Sequence, residues 1–272
     1  MSPRPVIGVF DSGVGGLTVL KELVALVPAA DYLYFGDTAR LPYGSKSVET
    51  VARYALSAAR FLEEKKIELL VVACNTASAL ALPQIAGGVR VPVVGVIEPG
   101  ADAAAAASRT RKAVVIGTEG TVASHAYQRA LAARGIEARE QACPLFVPLV
   151  EEGWTDHPVT EQVAHIYLDA LFRNGPAGAD VMVLGCTHYP LLKPLLRRLA
   201  PPAVTIVDSA ESTAQAVAQQ LTGRASVSKL ETGNSKLTFF STDSVEKFRR
   251  LGARFLGHPV EDVAHVDLDR LP

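Results

Sequence analysis

The sequence predicts an α/β protein: two doubly wound parallel-sheet lobes related by pseudo-two-fold symmetry, with a ligand site in the cleft between them. Three observations predict it. Short apolar runs at 6–10, 71–73, 113–116 and 183–184 alternate with amphipathic stretches, as do parallel strands buried on both faces and the helices that cover them. Strand, glycine turn and helix follow one another at 6–27 and again at 113–134, so the pattern restarts. Lastly, Val71-Val72-Ala73-Cys74-Asn75-Thr76-Ala77-Ser78 and Val183-Leu184-Gly185-Cys186-Thr187-His188-Tyr189-Pro190 share one scheme, an apolar run that ends at a cysteine and passes at once to small or hydroxyl-bearing residues. Strand carboxyl ends line the crevice of an open α/β sheet, which puts each sulfur on a strand tip in its own half.

Taken in order, Val6-Ile7-Gly8-Val9-Phe10 is a strand that stops at Asp11-Ser12-Gly13-Val14-Gly15-Gly16, and Leu17, Leu20, Val24 and Val27 then recur at helical spacing up to Pro28. A dinucleotide fingerprint would need glycine where Thr18 stands, so the glycine turn is read as anion-accepting backbone at a helix start. Residues 32–35 make a second strand, and the polar loop 36–46 is long enough to carry binding residues. Ser47 is suited to cap the next helix, with Glu49 in its first turn and Val48, Val51, Ala55, Ala58 and Leu62 on one stripe. Glu63-Glu64-Lys65-Lys66 reads as its solvated end. The strand 71–73 leads to a helix at 76–82 that Pro83 is expected to break, and 91–97 is a further strand punctuated by Glu98-Pro99-Gly100.

An alanine-rich helix follows, and then the second unit: strand 113–116, turn 117–121, helix 122–134, an acidic loop ending at Glu151-Glu152-Gly153, helix 160–172, the second thiol strand, helix 190–199 and strand 204–207. A helix runs from 208–210 to Leu221, 222–226 is a polar spacer, and 237–241 is a strand. Asp243 is placed to cap a helix carrying Val245, Phe248, Leu251 and Phe255. This tail is short for a third domain and is expected to return to the first unit. Residues 1–97 with 212–272 then form one lobe and 98–211 the other.

The chain has 272 residues, 49% of them apolar, so it can bury a substantial core. A net charge of −1 without like-charge blocks gives no reason to invoke nucleic acid or an anionic membrane. The partner is a small molecule. The start of the chain lacks a secretory pattern and no apolar run approaches the about 20 residues of a membrane span. Three cysteines without framework spacing fit a reducing, cytoplasmic setting.

Burial as a small apolar residue is the plain alternative for any free cysteine, and Cys143, in Gln141-Ala142-Cys143-Pro144, keeps that reading. The shared context of Cys74 and Cys186 weakens it for them. Two thiols across a cleft suit removal of a proton from one face of a carbon and return of one to the other; one must be thiolate while the other is thiol. A free thiol titrates near about 8.5, so polar neighbours are needed. His188 lies two residues past Cys186, Asp11 sits on a neighbouring strand tip for Cys74, and Glu151 is available to orient His188. Their simpler roles are helix capping for His188 and Asp11 and a surface charge for Glu151.

Val9-Phe10-Asp11-Ser12-Gly13-Val14-Gly15-Gly16-Leu17, Gly36-Asp37-Thr38 with Pro42-Tyr43-Gly44, Ala73-Cys74-Asn75-Thr76-Ala77-Ser78, Gly95-Val96-Ile97-Glu98-Pro99-Gly100 and Leu184-Gly185-Cys186-Thr187-His188-Tyr189-Pro190 resemble, in order, the signatures of the cofactor-independent aspartate/glutamate racemase family. The resemblance spans residues 6 to 211. It implies interconversion of L- and D-glutamate, with Cys74 deprotonating the D and Cys186 the L enantiomer, Asp11 helping Cys74, and His188 with Glu151, or the adjacent Glu152, helping Cys186. It implies that Asp11, Ser12, Pro42, Tyr43, Gly44, Asn75, Thr76, Thr118, Thr121, Thr187 and His188 hold the amino acid. No cofactor or metal, a homodimer, and supply of D-glutamate for peptidoglycan follow from the same resemblance.

Several rivals compete with it. A pyridoxal phosphate enzyme needs a lysine for a Schiff base, and Lys46, Lys65, Lys66 and Lys193 sit in a polar loop or on helices. A racemase or decarboxylase of another small dicarboxylate such as aspartate could share the thiol pair. Cys74, Cys186, His188 and Asp11 as a structural zinc site lack the closely spaced cysteine pairs of such sites. A glutamate-binding protein without catalysis would have a cleft but no need of two thiols.

Overall fold

The strands divide between two parallel sheets. The computed structural model describes residues 4–222 and 235–268. The first sheet has the order β10-β9-β2-β1-β3-β4, from β1 (Val6–Asp11), β2 (Asp31–Gly36), β3 (Leu69–Val72), β4 (Val93–Gly95), β9 (Leu237–Ser241) and β10 (Val263–His265). The second has the order β6-β5-β7-β8, from β5 (Lys112–Gly117), β6 (Glu137–Ala142), β7 (Val181–Gly185) and β8 (Thr205–Asp208). The run β2-β1-β3-β4 and the whole second sheet thus have one strand order, and the strands that end at cysteine, β3 and β7, are equivalent. In both sheets the chain leaves the first strand to one side and returns on its other side, so the switch points lie between β1 and β3 and between β5 and β7. Ligands of open α/β sheets bind there, beyond the strand carboxyl ends.

Period-two packing explains why β3 and β7 read as continuous apolar runs. Leu69 and Val71 face one core, while Leu70 and Val72 face another. On β7, Met182 and Leu184 join the same core as Leu69 and Val71, and Val181 and Val183 face a third. One apolar cluster therefore runs through both sheets. It is filled by α1 (Leu17–Leu26), α8 (Pro158–Asn174), α9 (Lys193–Leu199), α10 (Ser209–Thr222) and α11 (Val245–Leu256). The outer face of the first sheet is covered by α2 (Val48–Glu64) and α3 (Asn75–Gly88), and that of the second by α4 (Ile97–Ala107) and α6 (Ala126–Ala132). Helix α10 packs on both α1 and α4, across the seam.

Ser47 caps α2 as its sequence predicts, accepting from the Thr50 amide at 3.3 Å. Several other expectations change. Helix α3 continues to Gly88 through Pro83, which is exposed, so water can serve the carbonyl that the ring deprives of a donor. The helix expected at 122–134 is split into α5 (Glu119–Ala123) and α6, because His125 takes the left-handed conformation with φ 53°. Glu98-Pro99-Gly100 lies inside α4, where Pro99 falls in a first turn whose amides need no helical partner. The cap of α11 is Ser244, which accepts from Lys247 N at 3.2 Å, and not Asp243. The acidic loop is the short helix α7 (Phe146–Glu151), and 189–192 is a 3-10 turn before α9. Val48, expected on the buried stripe of α2, is 42% exposed at the first helical position. The spacer at 222–226 lies, beyond Thr222, outside the described residues.

Candidate active site

Both switch points open on one cavity of about 440 Å³. The first sheet and its helices bring Ser12, Pro42, Tyr43, Gly44, Cys74, Asn75 and Thr76 to its wall; the second brings Thr118, Glu151, Cys186, Thr187 and His188. Asp11 and Thr121 are buried behind that wall and do not line it. Lining residues that sequence reasoning missed are Leu41, Ser45, Glu119, Pro144, Val147, Pro148 and Lys247. Leu41 and Ser45 belong to the polar loop 36–46 expected to carry binding residues, whereas Glu119, Val147, Pro148 and Lys247 lie on α5 (Glu119–Ala123), α7 and α11, where no spacing marks them. A second depression of about 390 Å³, against β6, includes His125, Arg139 and Glu140 and shares no residue with the cleft.

The two sulfurs are held differently. Cys74 is the N-cap of α3: its Sγ accepts from the Ala77 amide at 3.4 Å and its thiol donates to Ser12 Oγ at 3.5 Å. Burial, then the adjacent Asp11 carboxylate, push this thiol up to about 12 against those two hydrogen bonds. Asp11 is itself raised by burial, while the Gly13 amide, which donates to Oδ2 at 2.9 Å, and the charge on His188 oppose the rise. Cys186 instead faces a nitrogen: His188 Nδ1 lies 4.0 Å from its Sγ, and Nε2 lies 3.1 Å from Glu151 Oε1. Burial disfavours the imidazolium, but the hydrogen bonds to Cys186 and Glu151 outweigh it and lift His188 to about 10. Glu151 is correspondingly drawn down by the His188 hydrogen bond. It is Glu151, and not the exposed Glu152, that reaches the imidazole.

Hydroxyls and one amide join the lobes around the cavity. Thr76 Oγ1 lies 2.9 Å from Thr118 Oγ1 and 3.3 Å from Thr121 Oγ1, and the latter two are 3.0 Å apart. Tyr127 donates to Asn75 Oδ1 at 2.7 Å and Asn75 Nδ2 donates to Ser209 Oγ at 3.1 Å, which fixes the amide in one orientation. Thr18, the residue that spoils a dinucleotide fingerprint, donates to the Thr187 carbonyl at 3.0 Å. Gly15 stands next to it because a Cβ there would fall on Thr187 Oγ1 and His188 Nδ1. On the far wall Tyr43 donates to the buried Asp37 at 2.5 Å. Among the described residues no three His, Cys, Asp or Glu side chains converge to hold a metal, so the zinc arrangement does not form. Nor is any described helix long and apolar enough to cross a membrane.

Two α/β lobes that meet switch point to switch point, each bringing a thiol to the wall of one polar cavity, define an isomerase of the racemase class. The chain belongs to the Asp/Glu/Hydantoin racemase family, which it matches over residues 7–217. It is 60% identical to the glutamate racemase of Koribacter versatilis (strain Ellin345), across 97% of this chain and 98% of that protein. Its structure resembles that of glutamate racemase from Thermus thermophilus in complex with beta-chloro-D-alanine, with TM-score 0.88 and 46% identity over the full length of both chains. A similar match is glutamate racemase from Francisella tularensis subsp. tularensis SCHU S4 in complex with D-glutamate, with TM-score 0.89, 32% identity, and 98% and 99% of the two chains covered.

Proposed function

We propose that this chain interconverts L- and D-glutamate by proton transfer at Cα between two cysteines, without a cofactor. The observation that carries the reading is that Cys74 and Cys186 end equivalent strands and line one cavity. Cys74 is held as a thiol, while the positive His188 faces Cys186. This charge distribution suits the L-to-D direction. Cys186, as thiolate, takes the Cα proton of L-glutamate, and the Cys74 thiol delivers its own proton to the opposite face. D-glutamate leaves with Cys186 as thiol and Cys74 as thiolate; the reverse reaction restores the first state. Asp11 assists Cys74, and His188, oriented by Glu151, assists Cys186.

The carbanion must be stabilised while it lasts, since an amino-acid Cα proton is far less acidic than a thiol. Fixed donors aimed at the substrate carboxylate in a water-poor cleft supply that stabilisation. We assign this to Ser12, Asn75, Thr76, Thr118, Thr121 and Thr187, with Pro42, Tyr43 and Gly44 shaping the wall. Asp11 and Thr121 act from behind, through the groups they hold. We further infer that 1–97 with 212–272 and 98–211 behave as two lobes. A cytoplasmic homodimer feeding D-glutamate to bacterial peptidoglycan synthesis, and hence cell shape, is the biological setting that family membership supports.

Following each enantiomer by circular dichroism without additives tests the reaction, with aspartate as the control for strictness. Cys74→Ser and Cys186→Ser are each expected to lower racemisation by about 10²–10⁴-fold, the usual worth of a positioned acid or base, while melting with the wild type. In deuterium oxide the Cys186→Ser variant should still exchange the Cα proton of D-glutamate, and the Cys74→Ser variant that of L-glutamate. Wild-type rates from either variant would remove that sulfur from the mechanism.

A further inference from the structure

Helix α11 follows β9, a strand of the first sheet, yet it reaches the side of the cleft that second-sheet elements build. Two adjacent residues of this helix touch the two members of one pair. Phe255, itself buried, sets its ring edge-on to the His188 imidazole with centroids 4.9 Å apart. Arg254 donates from Nη1 to the Glu151 carbonyl at 2.7 Å. Room for the guanidinium exists because residue 153 is glycine: its φ is +82°, and a Cβ built there would lie 2.9 Å from Arg254 Nη1. Two turns earlier on α11, Lys247 lines the cavity, and its charge adds to the downward pull on the Glu151 carboxyl.

We propose that α11, which follows a strand of the first sheet, sets the geometry of the Glu151–His188 pair, with Arg254 and Phe255 as positioning residues for proton transfer at Cys186. The proposal rests on the roles given above to Glu151 and His188. Pinning the carbonyl of residue 151 fixes the direction in which its side chain leaves the backbone, and so where Oε1 meets Nε2. The Phe255 edge keeps the imidazole from turning out of line with the sulfur. Proton transfer tolerates little error of this kind, since a misplacement of about 1 Å can cost about 10²-fold. Charged and titratable groups facing His188 are Cys186, Glu151 and Asp11, and those facing Glu151 are His188 and Lys247.

A double-mutant cycle in the full-length chain tests it, using Arg254→Gln, Glu151→Gln and the two combined. Arg254 is exposed, so Arg254→Gln should melt with the wild type. It should lower kcat by about ten-fold, leave KM nearly unchanged, and move the basic limb of the pH profile to lower pH as His188 loses its well-placed carboxylate. Arg254→Lys should recover much of kcat, and Gly153→Ala, which crowds the guanidinium and also strains a left-handed residue two positions from Glu151, should lose at least as much as Arg254→Gln. On the Glu151→Gln background Arg254→Gln should add nothing, because coupled residues are not additive. Full additivity, or wild-type kcat and pH profile in both Arg254→Gln and Gly153→Ala, overturns the proposal while leaving the assignment of Glu151 intact. Wild-type kinetics from Glu151→Gln alone would overturn that assignment instead.

Discussion

His188 is the one imidazole of the cleft, and its charge couples folding to pH. Its proton is held in the folded chain up to about 10, against an ordinary value of 6.5. The folded state therefore binds a proton that the unfolded chain releases from 6.5 upward, so the stabilisation is complete below 6.5 and fades as pH rises toward about 10. Cys74 adds a second loss at higher pH, because burial and the Asp11 carboxylate push its folded thiol up to about 12, well above a free one. Urea unfolding at a series of pH values should show the wild type losing stability through the first interval, and His188→Asn losing markedly less. An equal slope in both proteins would mean that His188 is not the group responsible.

At the scale of elements, the turn between β1 and α1 decides how closely the lobes approach. Gly15→Ala places a methyl against Thr187 and His188, and overpacking of this kind costs about 1–3 kcal/mol. A lower melting temperature together with a fall in kcat is expected; wild-type kcat would mean that the seam yields without disturbing His188. The same turn shows what was legible in the sequence. Strands β1, β3, β5 and β7 were readable because burial on both faces leaves only apolar residues, and the thiols were readable because they end two of those runs. Strand β6 was not: as Glu137-Ala138-Arg139-Glu140-Gln141-Ala142 at the sheet edge it needs no apolar run. Helix breaks are not legible where context overrides local preference, at Pro83 on an exposed face and at His125 in a left-handed turn. Thr18, Tyr127, Ser209 and Arg254 reach the site from elements remote in the chain, so no local spacing announces them. Glu151 is legible as the partner of His188, while the 3.1 Å contact itself is made by the way α7 meets the end of β7.

For the molecule as a whole, one continuous core lies between the sheets, so the lobes are expected to unfold together. A single cooperative transition is expected even though each sheet has its own outer core. The sole tryptophan, Trp154, lies between α7 and α8 on second-sheet elements, so its fluorescence reports on one lobe and far-ultraviolet circular dichroism on both. The two signals should coincide in urea; separate midpoints would mean that the lobes unfold independently. The pairing of β9 with β2 has a further consequence, because residues 237–241 must find residues 32–36 before the first sheet is complete. While a ribosome still shields the tail, the strands around Cys74 and Cys186 have all emerged, but Arg254 and Phe255 have not docked on Glu151 and His188. Nascent chains would hold both thiols without the support that aligns one of them, and full turnover would wait until residues 254 and 255 are free to dock.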